Sequence, residues 1–255
     1  MNIHQPSHPP ELITILDWIR YSISTFYQAG IFFGHGTDNE WDEASSLVFQ
    51  ALNLPLDMPA QRQEALYQAR VTETEKQHMA DWLQQRVELQ KPLPYITHQA
   101  WFAGMPFYVD ERVLIPRSPV AELILRGFKP YLSKEPKRIL DLCTGGGCIA
   151  IALANQFRES MVDAADIDSD ALDVASINIH EYQLEEQVIP LQSDLFSGLI
   201  GERYDLIVSN PPYVDANDMA DLPAEFHHEP ANALAAGEDG LDLVEIMLQQ
   251  ASQYM

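Results

Sequence analysis

Basic residues are scarce in this sequence, and their shortage excludes one class of partner. Lysine and arginine together number 15 against 38 aspartates and glutamates, so the formal net charge is −23 at pH 7. A protein that binds naked nucleic acid needs a basic face, so we expect no direct nucleic-acid partner. The same charge is compatible with a small cofactor, or with a basic protein partner that is attracted by charge.

Cysteine is also scarce: only Cys143 and Cys148 occur among 255 residues. No second pair completes a four-ligand zinc site, and two cysteines cannot build a disulfide scaffold, so we expect no metal and a reduced, intracellular protein. No run of 18 apolar residues could span a membrane, and the first ten residues, MNIHQPSHPP, lack the apolar stretch of a secretory signal. We therefore predict a cytoplasmic protein.

The first part of the sequence is predicted to be helical. Apolar residues recur at helical spacing over 12–26, with Gly30 placed to end that helix, and a second helix is predicted over 40–52. Residues 72–75 (TETE) fit a capping box that opens a third helix. The segment 91–95 (KPLPY) is predicted to end the helical region.

A hairpin pattern follows the helices. Residues 101–114 combine aromatic and β-branched side chains around a Gly-Met-Pro turn, which predicts a β-hairpin. Ser118 and Pro119 then fit the cap and the first position of a helix. We assign 1–94 to a helical domain, 95–117 to a hairpin linker and 118–255 to an α/β domain.

From residue 138 onwards, strand and helix patterns alternate. This alternation predicts an α/β fold, a doubly wound parallel sheet with helices on both faces. Four strands are few for such a sheet, and the last would be an open edge, so we expect C-terminal strands to be missing from this chain. The strands are predicted at 138–143, 161–167, 187–191 and 204–209, and the helices at 148–157, 169–182 and 241–250.

A glycine-rich segment, 139–147 (ILDLCTGGG), runs from a predicted strand directly into a helix. Open α/β sheets bind nucleotide-like ligands at this position. Gly145, Gly147 and Ala150 also fit a dinucleotide loop, and a plain turn without a ligand is a further alternative. The carboxylate of Asp141 would repel a pyrophosphate but suits the cationic amino-acid end of S-adenosylmethionine, so we predict that cofactor.

Two further acids follow predicted strands. Asp166 lies 25 residues after Asp141 and could accept hydrogen bonds from both ribose hydroxyls, since Asp168 is already available as the helix cap. Asp194 could accept a hydrogen bond from the adenine amino group, although a lone acid of this kind is more often a plain loop residue. The register of the three acids favours a ligand role for each.

The tetrapeptide Asn210, Pro211, Pro212 and Tyr213 follows the fourth predicted strand. An amide nitrogen is planar and non-basic, so its methylation requires acceptors for two hydrogens and a fixed orientation. The side-chain oxygen of Asn210 and the carbonyl of Pro211 supply acceptors, and the two prolines keep the backbone extended. Tyr213 supplies an aromatic wall. The tetrapeptide predicts catalysis by positioning, without a strong base.

At these residues the chain resembles class I, Rossmann-like methyltransferases that act on planar amino groups, and more narrowly the HemK-type protein-glutamine N5-methyltransferases. That family has a small helical N-terminal domain, expected to recognise the substrate, a hairpin linker and a catalytic domain. The resemblance implies that Asn210–Tyr213 bind glutamine and that Pro116 and Arg117 lie near the donor. The general pattern has glycine where this chain has Cys143. The implied donor-binding residues are Asp141, Cys143, Thr144, Gly145, Gly146, Gly147, Asp166, Asp194, Leu195 and Asn210.

Three stretches, 33–44, 100–124 and 141–152, resemble the family branch that methylates a glutamine of large-subunit ribosomal protein L-three. Ser118 follows Pro116-Arg117 where the release-factor branch has Pro-Glu-Thr-Glu. The implied partner is therefore a basic ribosomal protein, with no direct nucleic acid and no membrane.

Other functions stay open at this point. Release factors are the alternative protein substrate, and a DNA or RNA amino-methyltransferase would share the tetrapeptide but fits poorly with the acidic charge. A non-catalytic donor-binding protein is a third alternative. His227 and His228 with Glu225 and Glu229 lack the helical spacing of a histidine metal site, so we interpret them as a substrate-side or solvated loop.

Overall fold

A computed structural model describes residues 8–255 of the protein, and the chain divides into two units. The first unit ends at Thr97 and the second is His98–Met255. Residues 1–7 lie outside the described residues. They make up most of the segment from which we predict that there is no secretory signal. No helix within 8–255 is long and apolar enough to cross a membrane.

The first unit is built from helices around an apolar core that includes Trp18, Phe26, Leu47 and Met79. Its helices are α1 (Ile15–Ala29), α2 (Glu40–Ala51), α3 (Ala60–Leu66), α4 (Glu73–Glu88) and α5 (Leu93–Thr97).

Local signals set the ends of two of these helices. The predicted capping box begins α4, because the Thr72 hydroxyl accepts from the Glu75 N–H while the Glu75 carboxylate accepts from the Thr72 N–H. Gly30 ends α1 as predicted, at a φ of +65°.

The two short helices differ from the sequence prediction. The segment predicted to end the helical region contains the start of α5, with Pro94 as its second residue. Proline is tolerated in the first turn, where its missing N–H has no helical partner, so the prediction was wrong there. α3 was not predicted, because it has no buried residue and therefore no apolar period to detect.

The second unit opens with the predicted hairpin, formed by β1 (Gln99–Phe102) and β2 (Met105–Tyr108). The strands are antiparallel, with Gln99 opposite Tyr108 and Phe102 opposite Met105. They are shorter than the predicted segment, and they belong to the second unit.

A four-stranded parallel sheet forms the centre of the second unit. The remaining helices and strands of this unit are α6 (Val120–Leu125), β3 (Arg138–Leu142), α7 (Cys148–Gln156), β4 (Met161–Asp166), α8 (Ser169–Glu181), β5 (Val188–Gln192), β6 (Leu206–Ser209), α9 (Ala216–Asp221) and α10 (Asp242–Ala251). The strand order in the sheet is β5-β4-β3-β6. Leu140 of β3 pairs with Asp163 of β4 on one side and with Ile207 of β6 on the other.

Both faces of this sheet are covered. Successive strand residues point to opposite faces. Accordingly, Ile139 packs in a core with α7, whereas Leu140 and Leu142 pack in another with Phe196 and partly buried residues of α10. The prediction of an α/β fold with a parallel sheet is confirmed.

Two element boundaries depend on local hydrogen bonds. β6 begins two residues later than predicted, because the Tyr204 N–H donates to the Tyr254 carbonyl at 2.8 Å instead of joining the sheet. Pro119 occupies the N-cap of α6 and not its first helical position, which corrects the predicted start. The Ser118 hydroxyl accepts from the Val120 N–H at 3.3 Å. Within residues 8–255, β6 pairs with β3 alone.

Candidate active site

The carboxyl ends of the four parallel strands meet at one edge of the sheet, and a cavity of about 340 Å³ opens there. This volume lies in the range of small-molecule pockets, and every lining residue belongs to the second unit. Asp141, Gly147, Pro211 and Tyr213 are not among the residues that line it. The sequence-predicted site residues that do line it are Cys143, Thr144, Gly145, Gly146, Asp166, Asp194, Leu195, Asn210 and Pro212.

The side chain of Asp141 holds the glycine loop through hydrogen bonds. Its Oδ2 accepts hydrogen bonds from the Thr144 hydroxyl at 2.5 Å and from the Ala150 N–H at 3.0 Å. The side chain is fully buried, and burial raises the pKa of Asp141 to about 7. Its second oxygen, Oδ1, has no hydrogen-bond partner within residues 8–255. A buried acceptor without a partner costs about 1–3 kcal/mol. Because Asp141 is fully buried and does not line the cavity, its role in this site is to hold Thr144 and the loop.

The loop itself has a left-handed backbone at three positions. Gly145 and Gly147 have φ values of +53° and +80°, and Cys143 has a φ of +62° without being glycine. A Cβ added at Gly147 would meet the Ala175 Cβ at 3.1 Å, so glycine here lets α7 approach α8 closely. Burial raises the pKa of the Cys143 thiol to about 12, so this cysteine remains protonated at neutral pH.

Asp166 closes the loop from the end of β4. Its Oδ2 accepts from the Gly145 N–H at 2.8 Å, and its Oδ1 accepts from the Asp168 N–H at 3.0 Å. A carboxylate has about four acceptor positions, so Asp166 retains capacity for hydroxyl groups of a ligand. Burial raises the pKa of Asp166. The cap of α8 is Asp168, which accepts from the Asp170 N–H, so Asp166 does not serve as the cap.

The loop after β5 presents Asp194 and Leu195 to the cavity. Ser193 shapes this loop, because its hydroxyl donates to the Leu195 carbonyl at 2.5 Å and accepts from the Gly198 N–H at 2.9 Å. Leu195 itself has a φ of +46°.

The tetrapeptide is held at both ends. Before it, the Ser209 hydroxyl donates to the Leu142 carbonyl at 2.5 Å. After it, the Val214 N–H donates to the Leu234 carbonyl at 2.8 Å, and the Val214 carbonyl accepts from the Ala236 N–H at 2.9 Å. Asn210 and Pro212 face the cavity, and the side chain of Tyr213 is exposed.

The charges that line the cavity favour a cationic ligand. Arg112 and Arg117 both line it, and each is paired with an acid of the chain. The Arg112 guanidinium, 2.6 Å from the carboxylate of Asp110, lowers the pKa of that acid to about 2. Since the two arginines are neutralised in this way, the carboxylates of Asp166 and Asp194 leave the cavity negative.

Comparison with known proteins identifies the family. Residues 121–252 match the family described as Methyltransferase small domain. The chain is 48% identical over 246 residues to the "Ribosomal protein uL3 glutamine methyltransferase" of Francisella tularensis subsp. tularensis, covering 96% of this chain and 77% of that protein. It is 47% identical over 247 residues to the protein of that name from Neisseria meningitidis serogroup A, covering 96% and 80%. The chain belongs to the uL3 glutamine methyltransferase family.

This membership confirms the resemblance to the HemK-type enzymes and to their ribosomal-protein branch, and the second unit is a class I methyltransferase domain. A solved structure, that of the hMettl16 catalytic domain in complex with the MAT2A 3′UTR hairpin 1, is also similar. Its TM-score is 0.46 at 14% identity, covering 93% of this chain and 72% of that one.

The site fits the cofactor that the methyltransferase fold implies. S-adenosylmethionine carries an ammonium and a sulfonium, and the cavity is negative. Its ribose offers two hydroxyls, and Asp166 retains acceptor capacity.

The roles of two residues important to the site were not predicted from the sequence. Asn178 of α8 joins the hairpin to the glycine loop: its amide donates to the carbonyls of Tyr108 at 3.1 Å and Gly146 at 2.8 Å, and its Oδ1 accepts from the Tyr108 N–H. Glu229 accepts hydrogen bonds from Arg117. Glu225 and Glu229 are both buried, so the interpretation of their segment as a solvated loop was wrong. No group of acids, histidines and cysteines within residues 8–255 has an arrangement that could hold a metal ion.

Proposed function

We propose that this protein transfers a methyl group from S-adenosylmethionine to the side-chain amide nitrogen of a glutamine in ribosomal protein uL3, the protein L-three of the large subunit. The observation that carries this proposal is the convergence of a negative, donor-sized cavity with Asn210 and Pro212. The glutamine and the ribosomal protein come from the names of the relatives.

The donor would be held by residues of three strand ends. Asp166 accepts the ribose hydroxyls, Asp194 accepts the adenine amino group, and the glycines of the loop let the backbone come close. The buried Asp141 keeps Thr144 and the loop in position. When bound, S-adenosylmethionine supplies an electrophilic methyl group on its sulfonium sulfur. After transfer of the methyl group, that sulfur leaves as a neutral thioether.

The substrate glutamine would be oriented by the tetrapeptide. The Asn210 side-chain oxygen and the Pro211 carbonyl accept the two amide hydrogens, which keeps the nitrogen aimed at the donor. The exposed ring of Tyr213 is available to pack on the flat amide. No strong base is needed, because the proton of the methylated amide can leave to water, and the rate enhancement comes from positioning.

The remaining assignments follow from the same reaction. We infer that the helical unit recognises the substrate protein and that the α/β unit binds the donor. The acidic charge of −23 suits a basic ribosomal protein as the partner, without direct contact to nucleic acid or membrane. A ribosomal substrate also implies a cytoplasmic location.

The test offers the protein methyl-labelled S-adenosylmethionine with unmethylated uL3 or with an unmethylated release factor. Label in uL3 that disappears with Asn210→Ala supports the proposal. The exposed Asn155 on α7 provides the matched control, and Asn155→Ala should methylate normally. Label in the release factor alone would overturn the substrate, and label in neither would overturn the reaction.

A further inference from the structure

A buried acid links two separate parts of the cavity wall. The Glu229 side chain is 0% exposed, and its two oxygens accept from Nη1 and Nη2 of Arg117, both at 2.7 Å. One of these oxygens also accepts from the Ile115 N–H at 3.0 Å. The Arg117 guanidinium lies 5.3 Å from the centre of the Phe226 ring. Glu229 thus binds the segment before α6 through three hydrogen bonds.

Both segments joined by this acid line the donor cavity. Pro116, Arg117 and Ser118 line it from one side. The strap, which we define as residues 230–236, follows Glu229 directly and lines it with Pro230, Asn232, Ala233 and Ala235.

The strap is also attached at two other points. The Asn232 side chain donates to Asp168 Oδ2 at 3.1 Å, in the loop after β4. Residues 234 and 236 form the backbone bridge to Val214, the residue after Tyr213. Any outward movement of the strap would therefore disturb the donor cavity and the end of the tetrapeptide together.

Burial of the Glu229–Arg117 pair carries a cost in hydration free energy. Ions that are removed from water lose hydration, and a buried ion pair often adds no net stability over an apolar pair of the same volume. A pair that is fully bidentate nevertheless fixes the distance and angle between the two segments that it joins.

We propose that Glu229 is a positioning residue for methyl transfer, which holds the strap against the 115–118 segment so that the donor binds in a closed cavity. The inference rests on the proposed function, since it concerns the same site. Glu229 touches neither reacting group and acts through Arg117 and the strap.

The test is the Glu229→Gln variant, which keeps the size of the side chain and an acceptor for the Ile115 N–H but removes the charge. We expect the dissociation constant of S-adenosylhomocysteine, measured by calorimetry, to rise about tenfold. A tenfold rise corresponds to a variant in which only about a tenth of the molecules have the strap closed, because only those molecules bind the ligand. Hydrogen exchange of the Val214 and Ala236 amides should accelerate in the same variant. Arg117→Lys should weaken binding in the same direction, and it serves as the measurement if Glu229→Gln fails to fold.

The matched control is Asp163→Asn, which removes the buried acid of another ion pair. Asp163 accepts from Arg138 at 2.7 Å and from the Tyr204 hydroxyl at 2.8 Å, and neither partner lines the cavity. This variant should melt at a lower temperature and bind the ligand with wild-type affinity. Wild-type affinity for S-adenosylhomocysteine in Glu229→Gln would overturn the positioning role of Glu229. The same conclusion would follow if both variants lost affinity equally, in step with their melting temperatures. A wild-type protein that binds S-adenosylhomocysteine without methylating glutamine would overturn the proposed function instead.

Discussion

Gly240 lies against the backbone of Tyr213 in the tetrapeptide 210–213, and its replacement by alanine tests whether this contact matters for activity. A Cβ added at Gly240 would lie 2.4 Å from the Tyr213 carbonyl oxygen and 3.2 Å from its carbonyl carbon. Real Cβ contacts essentially never fall below 3.0 Å, so the backbones would have to separate by at least 0.6 Å. Gly240 also has a φ of +75°, in the left-handed region.

The two effects of Gly240→Ala have different magnitudes and different readouts. The left-handed backbone costs about 1–2 kcal/mol with any L side chain, which lowers the free energy of unfolding. A displacement that approaches 1 Å at a positioned reacting group can cost about 100-fold in rate. We therefore expect the kcat for methyl transfer to fall by about 10- to 100-fold, because Tyr213 and Pro212 move with the displaced carbonyl.

Gly201→Ala separates these two effects. Gly201 has a φ of +90°, and an added Cβ there meets nothing within 4 Å. This control should lose a similar free energy of unfolding in urea and keep its full kcat. If Gly240→Ala were as active as Gly201→Ala at equal stability, the packing of residue 240 on the tetrapeptide would be irrelevant to catalysis.

Three further variants test separate parts of the site and the fold. Asp166→Asn should raise the KM for S-adenosylmethionine by about tenfold, equivalent to about 1.4 kcal/mol, and an unchanged KM would exclude the ribose contact. The variant should also melt at a lower temperature, because asparagine keeps only one of the two oxygens that accept from the Gly145 and Asp168 N–H groups. Burial raises the pKa of Asp141 to about 7, above the unfolded value of about 3.9, so the folded state binds the extra proton and its stability falls as pH rises from about 4 through about 7. Asp141→Asn should reduce this slope in urea titrations across that range, and an unchanged slope would contradict the assignment. Thr72→Ala should destabilise the first unit by about 1 kcal/mol through loss of the capping box, with wild-type affinity for S-adenosylhomocysteine, and full stability would refute the role of the cap.

The sequence could predict features whose causes lie close together in the chain. The capping box at Thr72, the left-handed end of α1 at Gly30 and the alternation of strand and helix are local patterns. The structure has each of them. The convergence of Cys143, Asp166, Asp194 and Asn210 on one cavity was also predictable, because parallel strands bring their carboxyl ends to one edge.

Features that depend on distant partners could not be predicted. The amide of Asn178 reaches Tyr108, 70 residues earlier, and the carboxylate of Glu229 reaches Arg117, 112 residues earlier. Neither contact leaves a spacing that a single sequence reveals. Tyr213 does not line the cavity, and the hydrogen bonds that join the next residue, Val214, to the strap form only in the folded chain.

The most direct test of the account is tandem mass spectrometry of uL3 after reaction with this protein and S-adenosylmethionine. We predict one methyl group on the side-chain amide of a glutamine, which is absent when Asn210→Ala replaces the wild-type protein. Methylation of a lysine, an arginine or the backbone, or a glutamine product that persists with Asn210→Ala, would contradict it.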